Sequence, residues 1–119
     1  MEPPTPDVLA ADAKEVVKFC NPIRKARGLG RINKPRRGVP MHKGACSLAM
    51  CLEGTGITSV DYSSERESLR LWNRHDEVVS ISHRPAITRF MENFDAGLYP
   101  EYEIPLTDAL AMKLARRGR

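Results

Sequence analysis

Residues 57–97 read ITSVDYSSERESLRLWNRHDEVVSISHRPAITRFMENFDAG, and this stretch decides the fold. Three of its runs, Ile57–Tyr62, Ser68–Trp72 and Glu77–Ser82, combine β-formers with turn residues at their ends and read as strands. In the second, Leu69 and Leu71 oppose Arg70 and Trp72; in the third, Val79 and Ile81 share a face. The connections 63–67 and 73–76 are too short for a crossover, so an antiparallel meander is expected. Pro85 then opens a helix. Ala86, Ile87, Phe90, Met91 and Phe94 mark one face of it, and Thr88, Arg89, Glu92 and Asn93 the other. Gly97 closes it, because glycine takes the left-handed conformation that ends a helix.

Working outward, residues 44–53 are apolar on nearly every face, the mark of a buried helix, with Gly54 or Gly56 to end it. Further upstream, Thr5 caps a first helix over about 6–19, where Val8, Leu9, Ala13, Val16 and Val17 recur at helical spacing. Asn21-Pro22 is expected to terminate it, since the residue before proline is pushed out of the helical region. Downstream, Glu101–Ile104 alternates like a fourth short strand. Thr107 caps a last helix to about Arg117, with Asp108 near its start and Lys113, Arg116 and Arg117 towards its end.

The expected fold class is α+β. A small antiparallel sheet of three or four strands packs against the 44–53 and 85–95 helices, with flanking N- and C-terminal helices. Leu48, Leu52, Val79, Ile81, Phe90 and Phe94 should lie inside. Residues 1–5 form a flexible tail, and 6–119 a single domain that includes a basic connection over 21–43, punctuated by glycine and proline.

At 119 residues, 41% hydrophobic and 29% charged, the composition is that of an ordinary globular domain. No apolar run approaches the ~20 residues of a membrane helix, so no membrane partner is expected. The start MEPPTPDV has neither the basic nor the apolar part of a secretory signal. Three cysteines are too few for a disulfide scaffold and odd in number, so free thiols and a cytoplasmic, reducing location are expected.

Charge carries the functional signal. Between Val16 and Leu52 there is no acidic residue, while nine are basic: Lys18, Arg24, Lys25, Arg27, Arg31, Lys34, Arg36, Arg37 and Lys43. The rest of the chain holds ten basic and fifteen acidic residues, so the block stands at +9 against −5. Such a block attracts phosphates or an acidic protein surface. Arg24, Lys25, Arg27, Arg31, Lys34, Arg36, Arg37 and Lys43 are therefore the expected contacts to nucleic acid or an acidic partner. Trp72, between Arg70 and Arg74, could stack a base, but an aromatic on a strand is more often a packing residue.

Two separated patterns are similar to a group of small, mostly uncharacterised proteins of phages and actinobacteria. Cys46-Ser-Leu-Ala-Met-Cys-Leu52 resembles the group's cysteine-started apolar helix, with Ser47 where the group has proline. Residues 80–97 resemble its proline-started helix ending in Phe-Asp-x-Gly, with His83-Arg84 in place of the usual leucine, and Tyr99–Ile104 resembles its following strand. The resemblance spans about residues 38–105. It implies a phage or mobile-element origin, and no catalytic residue carries over from it.

Other chemistry is weaker. His42 and Cys46 are four apart, but Cys46 and Cys51 point to different sides of a helix and no Cys-x-x-Cys spacing occurs, so no metal is expected. Cys46 at a helix start, near Lys43 and His42, is the one candidate nucleophile, without an identifiable base or orienting acid. Gly28-Leu-Gly30 lacks the further residues of a nucleotide loop, so no cofactor is expected. The leading expectation is a small non-enzymatic binding protein that uses the basic segment. The alternative is a structural component of a virion or ribonucleoprotein.

Overall fold

A computed structural model describes residues 3–104 of the chain. Its elements are α1 (Pro6–Ala26), α2 (Ser47–Cys51), β1 (Ile57–Ser63), β2 (Ser68–Asn73), β3 (Val78–Ile81) and α3 (Pro85–Asp95), followed by a 3₁₀ turn at Pro100–Tyr102. The strands form an antiparallel sheet in the order β1-β2-β3. One face of the sheet lies against α2 and α3, and α1 packs across α3. The fold is α+β, with the meander and the 85–95 helix where the sequence placed them.

Alternation sorts the sheet. Val60, Tyr62, Leu69, Leu71, Val79 and Ile81 share the inner face by register, and Ser59, Asp61, Arg70, Trp72, Val78 and Ser80 the outer one. Leu48, Leu52, Val60, Leu69, Phe90, Phe94 and Tyr99 form the fully buried centre. Phe90 packs against Tyr99 in a tilted pair with ring centroids 4.5 Å apart, and the Tyr99 hydroxyl donates to Leu9 O at 2.8 Å, joining α1 to the α3 layer. The bidentate pair Arg89–Asp12 (2.9 and 3.1 Å) ties the same two helices, with Asp12 buried.

Four expectations need correction. α1 does not stop at Asn21-Pro22 but runs through Pro22 to Ala26. Proline in a helix interior costs about 3 kcal/mol. Here the final turn is held by tertiary bonds. Asn21 Nδ2 donates to Ile32 O at 3.0 Å and Asn21 Oδ1 accepts from Ile32 N–H at 2.9 Å. Arg24 is anchored in the interior.

The expected 44–53 helix contracts to Ser47–Cys51, because residues 38–46 form turns in which Ala45 N–H and Cys46 N–H both bond His42 O. Gly38 crosses this region so closely that a Cβ there would lie 2.5–2.6 Å from the backbone of Ala45, Cys46 and Ser47.

Glu101–Ile104 is not a fourth strand of the sheet: it begins in the 3₁₀ turn, and Glu103 makes a single parallel bridge to Gly38. Val79, expected inside, is 61% exposed, because β3 is an edge strand that the helices do not cover at that position. The expected last helix over 107–117 lies outside the described residues. Among the described residues no helix is long and apolar enough to cross a membrane.

Candidate polyanion-binding surface

The basic connection is a pinned segment. Leu29 N–H bonds Arg24 O at 2.9 Å, Gly30 O accepts from the Arg24 side chain, and Ile32 is clasped by Asn21. Arg36 N–H donates to Cys51 Sγ at 3.3 Å and Arg36 O accepts from Ser47 Oγ at 2.7 Å. Gly38 N–H bonds Tyr102 O, and Ile104 N–H bonds Gly38 O. Ile32, Pro35, Gly38 and Val39 turn inward while Arg31, Lys34, Arg36 and Arg37 are exposed. These bonds fix the backbone from which the exposed cations project.

The eight expected contact residues divide into two groups. Arg24 is withdrawn from the surface: it is buried, with Nε donating to Gly30 O at 2.8 Å and Nη1 to Cys51 O at 3.1 Å. It lies on an inward face because α1 continues past Pro22. Lys43 pairs with Asp61 at 3.3 Å, and Arg70 reaches the same carboxylate oxygen at 2.7 Å. Burial pushes the Asp61 carboxyl up, but the Tyr62 N–H, Lys43 and Arg70 outweigh it and hold the group below its ordinary value. Arg37 donates through Nε and Nη2 to Glu103 O at 3.3 and 2.9 Å, which fixes its guanidinium yet leaves it exposed.

Lys25, Arg27, Arg31, Lys34 and Arg36 are exposed and have no carboxylate within 4 Å among the described residues.

Two shallow grooves adjoin the segment. One, about 570 Å³, is lined by Lys18, Asn21, Lys25 and Arg31 beside Val17 and Leu29. The other, about 530 Å³, is lined by Lys34, Arg36 and Arg37 beside Pro35, Tyr102 and Glu101. The chain passes from one to the other at 31–32. Arg27 lines neither groove but a neighbouring depression, with Arg74, His75 and Glu53. Lys18 and Tyr102 are groove residues that the sequence did not single out. Helical spacing of Lys18 and Lys25 along α1 was the available signal for the first, and nothing local marked the second.

The remaining chemistry is inward. Burial pushes the Cys46 thiol up to about 11, the wrong direction for a nucleophile at neutral pH. Cys20 and Cys51 are fully buried and hydrogen-bonded to each other. That bond, with burial, raises Cys20, while the same bond and the Arg36 N–H lower Cys51. All three cysteines are free thiols. A cleft of about 350 Å³ between β1 and α3 has an apolar floor of Leu48, Val60, Phe90 and Phe94. Its carboxylate Asp95 is occupied by Met41 N–H at 2.8 Å and Tyr62 Oη at 3.2 Å. Trp72 sits half-buried on the outer face of the central strand, with the Arg70 guanidinium 5.4 Å from its ring centroid. Comparison with protein-family models, curated proteins and solved structures gives no match.

Proposed function

We propose that this protein is a non-enzymatic binding module that holds the phosphate backbone of a nucleic acid along residues 25–37. The observation that carries the reading is the set of five exposed cations without carboxylate partners among the described residues, on a segment pinned by partly buried hydrogen bonds. Rigid display favours binding, because side-chain and loop ordering is part of the cost of association. The two grooves offer Lys18, Lys25 and Arg31 on one side, and Lys34, Arg36 and Arg37 on the other. Contacts of this kind recognise backbone charge rather than sequence. Tyr102, beside the second cluster, adds an aromatic surface on which an unpaired base could stack. Three free thiols suit a reducing cytoplasm.

The test is binding of labelled duplex and single-stranded oligonucleotides by anisotropy. Arg31→Ser and Lys34→Ser should each weaken binding uniformly across sequences and reduce the salt slope by about one. Lys43→Ser should leave binding unchanged, because Lys43 belongs to the Asp61 pair. Equal losses from all three would mean that only net charge matters. An acidic protein partner is the competing outcome; it would survive nuclease treatment in affinity purification, and a nucleic acid would not.

A further inference from the structure

β3 is an edge strand, and its sequence Val78-Val-Ser-Ile81 holds neither charge nor proline, the devices that ordinarily keep edges from pairing. The register identifies which peptide groups are free. Asn73 N–H donates to Glu77 O at 3.1 Å, and the pairing continues through Trp72–Val78, Leu71–Val79, Arg70–Ser80 and Leu69–Ile81. Antiparallel pairs alternate between those that exchange hydrogen bonds and those that do not. With Asn73–Glu77 bonded, Val79 and Ile81 direct their peptide groups at β2, while Val78 and Ser80 direct theirs outward. Val78 and Val79 are 50% and 61% exposed and lie on opposite faces of the sheet, so the edge is apolar on both sides. The strand is also electrically directional: exposed Asp76 and Glu77 precede it, and exposed His83 and Arg84 follow it.

We propose that β3 pairs antiparallel with β3 of a second copy of this chain, about a two-fold axis, joining two sheets into one. Charge complementarity selects this occupant. An antiparallel copy sets the acidic start of each strand against the basic end of the other, whereas a parallel copy sets like against like. With the axis at Ser80, Val79 packs beside Ile81 of the second copy; the chain turns at Asp76 and His83, both at positive φ, so the charges meet beyond the ladder, Glu77 beside His83 and Asp76 beside Arg84. The outward peptide groups of Val78 and Ser80 gain ladder partners, as in strand addition generally, and the contact closes because it is isologous.

Sedimentation equilibrium over a concentration series tests the proposal, with hydrogen exchange at single-residue resolution beside it. The full chain should sediment at twice its 13.4 kDa mass at about 100 µM. Ser80→Pro removes an outward N–H without touching the β2 ladder, and should raise the dissociation constant at least about tenfold with unchanged circular dichroism. Glu77→Lys should weaken the dimer, and Glu77→Lys with His83→Glu should recover it. In the unaltered chain, the Val78 and Ser80 amides should be protected at high concentration and exchange rapidly on dilution, a readout that does not depend on any variant folding. A chain-mass monomer throughout, or amide exchange at Val78 and Ser80 that ignores concentration, overturns the proposal. So does a dimer that a folded Ser80→Pro leaves intact.

Discussion

Arg24 shows how one side chain can change class on folding. It lies within the basic block, yet its guanidinium satisfies two carbonyls, Gly30 O and Cys51 O, that join α1, the basic segment and α2. Arg24→Met should destabilise the protein by about 2–4 kcal/mol in urea unfolding, since buried acceptors are left without donors. Arg24→Lys should rescue little of this, because an ammonium does not reproduce the fork of donors. Two titrating groups set pH limits. Asp61 is held below an ordinary carboxyl value of about 3.9, so its contribution is present above that value and is lost as pH falls through the lower folded value. Asp61→Asn should flatten that acid limb. Tyr62 is the opposite case. Burial and then the Asp95 charge push its hydroxyl from about 10 up to about 12. Its contribution is intact below pH 10 and is lost as pH rises towards 12. Tyr62→Phe should remove that part of the alkaline loss in pH-dependent denaturation curves.

Among the elements, α1 is where local rules and tertiary structure disagree most. Pro22 marks a stop by every local criterion, but Asn21 exchanges two hydrogen bonds with Ile32 and carries the helix through. Asn21→Ala should therefore cost about 1–3 kcal/mol. Amides after Pro22 should exchange faster, while those before Lys18 stay protected, as native-state hydrogen exchange can report. The sheet and α3 were legible because alternation and helical spacing coincide there with clear turn residues: register pairs Leu69 with Ile81 and Leu71 with Val79, as the shared faces required. The exposure of Val79 was not legible, since a period of two gives the face of a strand but not whether a helix covers it. Likewise the length of α2 depends on Gly38 crossing the turn at 45–47, a contact distant enough in sequence to leave no local mark.

At the scale of the whole molecule, segregation of charge was visible in the sequence and its partition was not. The count of basic residues over 16–52 marked a segment, but it could not separate Arg24, turned inward, or Lys43, paired with Asp61, from Lys25, Arg27, Arg31, Lys34 and Arg36. That distinction depends on the path of α1 and on the approach of residue 43 to β1, where Val60 N–H bonds Lys43 O. A variant carrying Lys25→Ser, Arg31→Ser, Lys34→Ser and Arg36→Ser should keep the fold, because all four side chains are exposed and the backbone bonds of the segment remain. The most direct measurement is the dependence of duplex-DNA affinity on salt concentration for the full chain and for this variant. The account predicts a log–log slope of about −4 to −5 for the full chain, falling to about −1 for the variant, which keeps Arg27. A flat salt response in the full chain, or equal slopes in the two proteins, would contradict it.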